Sequence, residues 1–169
     1  MPGLDDSAMS QKTRRMFLAA GASVLGVSIA GCLDGSAEAD EDASFDTATV
    51  HFDPACGCCG EHVDYLTSAG VDVERNEVSN ERLDELRDDL QIPDDLRSCH
   101  TTELDSGYYI EGHVPVEVIN EVVETQPAVE VVTLPGMPSG SPGMPGSKDD
   151  EWVFYSVDED GSVDEFIRK

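Results

Sequence analysis

Three cysteines fall within four residues, Cys56-Gly57-Cys58-Cys59, directly after a short apolar strand pattern. This spacing constrains the fold more than any other feature of the chain. Adjacent thiols cannot all pair with one another without strain, because a disulfide needs a particular Cα separation and Cβ direction. Between a strand and a helix start, unpaired backbone N–H groups and the helix dipole stabilise thiolates. Cys56 and Cys59 form a C-x-x-C, the redox spacing when it lies near a βαβ pattern. Cys58 adds a third sulfur, and several thiolates at one point suit soft ions such as Cu(I). Scaffold disulfides, as exported proteins use, are the remaining reading. Three cysteines in four residues make a poor layout for stapling a fold.

The segments around the cluster read as alternating strands and helices. Ala48 to Phe52 is a short strand ending at Asp53-Pro54. From Glu61, Val63 and Leu66 mark one helical face, with Gly70 as its stop. Val71, Val73 and Val78 predict a second strand. Asn80 is expected to cap a helix carrying Leu83, Leu86 and Leu90, closed by Pro93. Leu104 and Tyr108-Tyr109-Ile110 read as strand pieces around the Asp105-Ser106-Gly107 turn. Pro115 opens a helix with Val118, Ile119, Val122 and Val123, and Val129 to Val132 is a further strand candidate. Trp152 to Val157 and Ser162 to Ile167 flank Asp158-Glu159-Asp160-Gly161, a hairpin signal. The order βαβα-ββα-ββ predicts an α/β domain over residues 47–169: a thioredoxin-like mixed sheet with flanking helices and a C-terminal β-hairpin.

Further ligand-type residues follow the cluster. Cys99-His100 comes after the Pro93 break, and a fourth cysteine is a natural completing ligand or disulfide partner for a set of three. His113 stands in Glu111-Gly112-His113-Val114-Pro115, at the mouth of the next helix, as a cap or a ligand. Leu134 to Pro145 repeats Pro-Gly-Met seven residues apart, placing Met137 and Met144 in a segment whose prolines and glycines exclude helix and interior strand. Thioethers are soft ligands that prefer copper to zinc or magnesium.

The N-terminus reads as an address. Arg14-Arg15-Met16-Phe17-Leu18 precedes a weakly apolar stretch to Ala30, a positive region and short apolar region of the secretory kind. The arginine pair resembles the twin-arginine export signal. Ile29-Ala30-Gly31-Cys32 resembles a lipobox, with Cys32 as the lipid attachment point. Residues 1–31 are thus expected to be a twin-arginine lipoprotein signal peptide, and residues 32–46 an acidic disordered tether. No apolar run reaches the roughly 18–20 residues of a membrane span. The expected location is extracytoplasmic, on the outer face of the cell membrane, held by the lipid on Cys32.

Charge excludes one class of partner. With 36 Asp and Glu against 10 Lys and Arg, the net charge is −26. Nucleic-acid binding rests on Lys and Arg neutralising phosphates, so no nucleic-acid partner is expected. The carboxylates are spread along the chain rather than blocked, as befits a surface kept hydrated in the high salt of a halophile's surroundings.

Cys56-Gly57-Cys58-Cys59-Gly60, Ser98-Cys99-His100-Thr101, Gly107 to Pro115 and Pro135 to Met144 resemble, in order, the signature blocks of one group. It is the domain-of-unknown-function family of exported metal-binding proteins that includes the copper-resistance protein CopG. The resemblance runs from about Val50 to Ile167. It implies a thioredoxin-like fold, copper as Cu(I) or Cu(II) bound through bridging cysteines, several ions being one option, and a role in copper resistance. It points to Cys56, Cys58, Cys59 and Cys99 as thiolate ligands, with His100, His113, Met137 and Met144 nearby. Where the family usually has Trp in the first helix, this chain has His62, either a lost packing residue or an added ligand. No role is assigned to His51. Two function classes stay open: a copper-binding protein that sequesters Cu(I) or hands it to a copper-handling partner, and an oxidoreductase using Cys56 and Cys59 or copper redox cycling. Cys58 and the two methionines favour the first, since a thiol–disulfide exchanger needs neither. A zinc-stabilised module is weaker, because zinc ligands are Cys, His and carboxylates rather than Met.

Overall fold

The computed structural model describes residues 39–169. The expected signal peptide and Cys32 lie outside the described residues. Among the described residues, seven strands and three α-helices follow one another as β1 (Thr47–Phe52), α1 (Gly57–Ser68), β2 (Asp72–Glu77), α2 (Asn80–Asp89), β3 (His100–Leu104), β4 (Tyr109–Glu111), α3 (Val116–Thr125), β5 (Val131–Thr133), β6 (Val153–Val157) and β7 (Val163–Arg168), with a 3-10 turn at Asp94–Leu96. The strands form one mixed sheet in the order β2-β1-β3-β4-β5-β6-β7. β1 pairs parallel with β2, and β4 parallel with β5; the other neighbours are antiparallel. The α/β architecture, the mixed sheet and the closing hairpin are as the sequence predicts.

Alternation explains the layers. β1 buries Ala48, Val50 and Phe52 and leaves the residues between them less covered. These three pack with Val63 and Leu66 of α1 and with Val118, Ile119 and Val122 of α3. A smaller cluster joins Leu90, Ile92 and Leu96, which follow α2, to Val131 and Val157. Val131 and its neighbour Val132 thus serve different clusters, as adjacent residues of a doubly covered strand must.

Four local details depart from the sequence reading. Helix α1 begins at Gly57 rather than near Glu61, because the Asp53 carboxylate and carbonyl accept from Ala55 and Cys56 N–H and turn the chain directly into it. The N-cap of α2 is Ser79, whose hydroxyl accepts from Arg82 N–H, and not Asn80. β3 starts at His100, so Cys99 immediately precedes a strand. Residues 39–46, expected as tether, lie against the domain: Phe45 is buried, Ser44 N–H donates to Asn120 Oδ1, and Ala43 N–H donates to the Ala69 carbonyl. Phe45 is the one large apolar residue of that acidic segment, and burying it supplies the contact the composition otherwise lacks.

Topology then decides where the chemistry falls. β1, β4 and β5 run in one direction and β3 in the other. The ends of β1, β4 and β5 and the beginning of β3 therefore share one end of the sheet. Cys56 to Cys59, Cys99-His100, Gly112-His113 and the Pro-Gly-Met loop all emerge there.

Candidate metal centre

Cys56 is the N-cap of α1, and Cys58 and Cys59 lie in its first turn, where the helix dipole favours negative charge. Cys56 and Cys59 are joined as a disulfide; Cys58 and Cys99 are free. Cys58 Sγ is 3.6 Å from Cys56 Sγ and 3.8 Å from Cys99 Sγ. The four sulfurs lie within 4.8 Å of one another. Cys99 also belongs to a second group of that compactness, with His100 and His113. Its sulfur is 3.3 Å from His100 Nδ1 and 3.0 Å from His113 Nε2. One sulfur is common to a thiolate set and an imidazole set.

Burial controls the protonation of this junction. The Cys99 thiol is pushed up to about 12, first by burial and then by the neighbouring Cys58. His113 Nδ1 donates to the Pro142 carbonyl at 2.6 Å, which leaves Nε2 as an acceptor facing the Cys99 sulfur. A single S–H proton can serve only one of its two nitrogen neighbours. A soft cation replacing that proton meets sulfur and imidazole lone pairs together, so the donor set fits a metal ion of the copper type.

Two structures hold these ligands in place. Arg87 of α2 and Glu111 of β4 form a buried ion pair at 3.0 Å. Glu111 accepts from Ser98 N–H at 2.6 Å while Arg87 donates to the Ser98 carbonyl at 2.7 Å. Ser98, the residue before Cys99, is gripped at both backbone atoms. Thr101 Oγ1 also donates to Glu111. Burial raises the Glu111 pKa, against the pull of Arg87 and of these hydrogen bonds. Gly112 closes the arrangement: a Cβ there would come within 2.7 Å of the Leu134 carbonyl and within 2.6 Å of Ser98 Oγ.

The Pro-Gly-Met loop is the second brace. Pro142 and Gly143 are buried against α1, with Gly143 so close that a Cβ would stand 2.7 Å from His62 N. Met144 follows them, half-buried. Met137 keeps 39% of its surface exposed and sits at a left-handed turn, φ 47°.

The sequence reading thus places Cys56, Cys58, Cys59, Cys99, His100 and His113 among residues that the fold brings together. It gives no role to Arg87, Glu111 or Pro142, and it leaves His62 open between a lost packing residue and an added ligand. His62 is fully buried, with its ring centroid 4.5 Å from that of His100 and 5.2 Å from that of His113. The signal for it was its position four residues after Cys58 and three after Cys59, hence on the same helix face. Arg87 was signalled by standing on the Leu83–Leu90 face of α2, where a charge needs a buried partner.

Residues 96–144 match the family described as protein of unknown function, DUF411. No curated protein matches the chain. Among solved structures, form 1 of the copper resistance protein CopG aligns with a TM-score of 0.65 and 30% identity, covering 73% of this chain and 97% of that one. Form 2 gives a TM-score of 0.64 and 31% identity with the same coverage. Identity at this level over nearly the whole of the CopG chains, with the cysteine cluster at the strand–helix junction, shows that the chain belongs to the CopG-like copper-resistance family.

Proposed function

We propose that the protein is an exported, lipid-anchored copper-binding protein that takes part in copper resistance by holding Cu(I). Once the Cys56–Cys59 disulfide is reduced, Cys56, Cys58, Cys59 and Cys99 are its thiolate ligands, and His100, His113 and the methionine loop support them. The observation that carries this reading is that Cys99 belongs both to the four-sulfur group and to a group with two imidazoles. A fold staple needs neither a third cysteine beside the pair nor an imidazole at 3.0 Å from a free thiol. The βαβα–ββα unit from β1 to α3, with cysteines at the first helix terminus, supports a thioredoxin-like description. The acidic surface supports a high-salt habitat, and Cys32 supports attachment to the outer membrane face. Delivery to a copper-handling partner protein is part of the proposal.

The Cys56–Cys59 disulfide supports a second reading, in which the protein is an oxidoreductase. Its balanced step is the oxidation of the Cys56/Cys59 dithiol by two Cu(II) ions, giving the disulfide, two Cu(I) and two protons. Metal analysis of the reduced, folded protein and of Cys58→Ser separates the two. Binding predicts lower copper content in Cys58→Ser although the C-x-x-C survives. Full loading of that variant, with Cu(II) reduction lost on Cys56→Ser, assigns the protein to redox chemistry instead.

A further inference from the structure

His62 is the buried imidazole that neither ligand group includes. Its Nδ1 lies 3.3 Å from the Pro142 carbonyl, the same oxygen that accepts from His113 Nδ1. A carbonyl only accepts, so the proton of His62 is on Nδ1 and Nε2 carries a lone pair. That Nε2 is buried and has no hydrogen-bond partner, and the same holds for His100 Nε2. A buried polar atom without a partner costs ~1–3 kcal/mol. Native proteins rarely leave two such atoms in adjoining rings without a bound water or ion to serve them.

His100 explains how the two orphans relate to the sulfur cluster. Its Nδ1 faces Cys99 Sγ at 3.3 Å. The two nitrogens of an imidazole diverge, so its Nε2 looks away from that sulfur. We propose that His62 Nε2 and His100 Nε2 hold a copper ion of their own, on the side of His100 remote from Cys99, next to the sulfur-bound copper. The ring centroids stand 4.5 Å apart. Two imidazoles bonded at ~2.0 Å to one ion in a straight line would have centroids about 6 Å apart, so rings at the observed spacing share an ion at a bent N–Cu–N angle. Imidazole is a good copper ligand. A backbone carbonyl fixing the other ring nitrogen is the usual outer support of a metal-ligating histidine, and Pro142 supplies it here. His62 also stands one helical turn after Cys58, so α1 presents sulfur and nitrogen ligands along one face.

This inference rests on the copper binding proposed above and deepens it: the centre has a sulfur position and a nitrogen position. The test uses the full chain, reduced anaerobically, loaded with excess Cu(I) and desalted. Copper per protein, the Cu–N and Cu–S content by X-ray absorption, and the ultraviolet thiolate-to-copper band are measured for the wild type, His62→Phe and His62→Gln. The expected result is one copper ion fewer and a smaller Cu–N share in both variants, with the thiolate band unchanged. Wild-type copper content and Cu–N share in a folded His62→Gln overturn the nitrogen position while leaving the sulfur site standing. Absence of the thiolate band from the wild type overturns the copper reading itself.

Discussion

Arg87 and Glu111 meet at 3.0 Å in the interior, their side chains 7% and 0% exposed, and between them they hold both backbone atoms of Ser98. The pair thereby fixes the residue from which Cys99 projects. Removing one partner of a buried ion pair strands the other charge and typically costs about 3–5 kcal/mol. Glu111→Gln and Arg87→Met should each lower stability by that order in urea unfolding. Replacing both at once should recover much of the loss, because no charge is left stranded. Copper affinity should stay reduced in the double variant, since Ser98 has lost its grip. Equal recovery of stability and affinity would show that the pair only fills the core.

With the Cys56–Cys59 disulfide closed, two of the four clustered sulfurs are engaged with each other and only Cys58 and Cys99 are free. Reduction should therefore expose two additional titratable thiols and raise Cu(I) capacity. Cys99→Ser should lose more copper than Cys58→Ser, because Cys99 serves both ligand groups. Anaerobic titration of each variant, before and after reduction, measures the order.

The sequence made this centre legible where chemistry was carried by local spacing, and obscured it where partners met across the sheet. Cys56, Cys58 and Cys59 announce themselves within four residues, and the strand before them and the helix after them follow from hydrophobic period. Cys99, His100 and His113 could be named as ligand types. Their convergence, though, depends on β3 running against β1 and β4, which no local pattern states. The clamp on Ser98 joins residues from α2 and β4, and the Pro142 carbonyl that serves His62 and His113 comes from a loop beyond β5. Phe45 shows the same limit from the other side: one buried aromatic, together with the Asn120 side chain bonded to Glu41, Asp42 and Ser44, docks residues 39–46 that composition alone would leave free.

Acid should destabilise the metal-free protein through its buried histidines. Burial first, then the nearby His113, lowers His62 to about 3. Burial likewise holds His100 well below its ordinary value and lowers His113. In the unfolded chain each titrates near 6.5. Below that pH the unfolded state takes up protons that the native state refuses, so stability is fully present above about pH 6.5 and is lost as pH falls. Each such group contributes up to about 1.4 kcal/mol per pH unit over its window. Urea midpoints at fixed salt from pH 7.5 to 5 should decline, and His62→Phe should flatten the decline. An unchanged slope in that variant would mean that His62 is charged in the fold.

Anchoring is tested at Cys32, which lies outside the described residues. A single acyl chain holds a protein only marginally, whereas two hold it firmly, so a diacylglycerol on Cys32 suffices without a spanning helix. Among the described residues no helix is long and apolar enough to cross a membrane. Cys32→Ser should move the protein from the membrane fraction to the medium. Unchanged membrane association would remove the lipid from the account.

Gly143 makes the loop itself testable. Its φ of 80° lies in the left-handed region, and an added Cβ would stand 2.7 Å from the backbone nitrogen of His62. A left-handed non-glycine residue costs about 1–2 kcal/mol before any clash. The clash is with helix backbone, which cannot swing aside as a side-chain tip can. Gly143→Ala should therefore lift the loop off α1, and with it the Pro142 carbonyl that orients His62 and His113. Met137→Leu nearly conserves volume at a 39% exposed position, so it should leave stability within about 0.5 kcal/mol, as surface changes usually do. Copper affinity should fall in Gly143→Ala more than in Met137→Leu, and competition with a Cu(I) chelator reads both. The reverse order would mean that the loop acts through the Met137 thioether and not through the carbonyl that holds the two imidazoles.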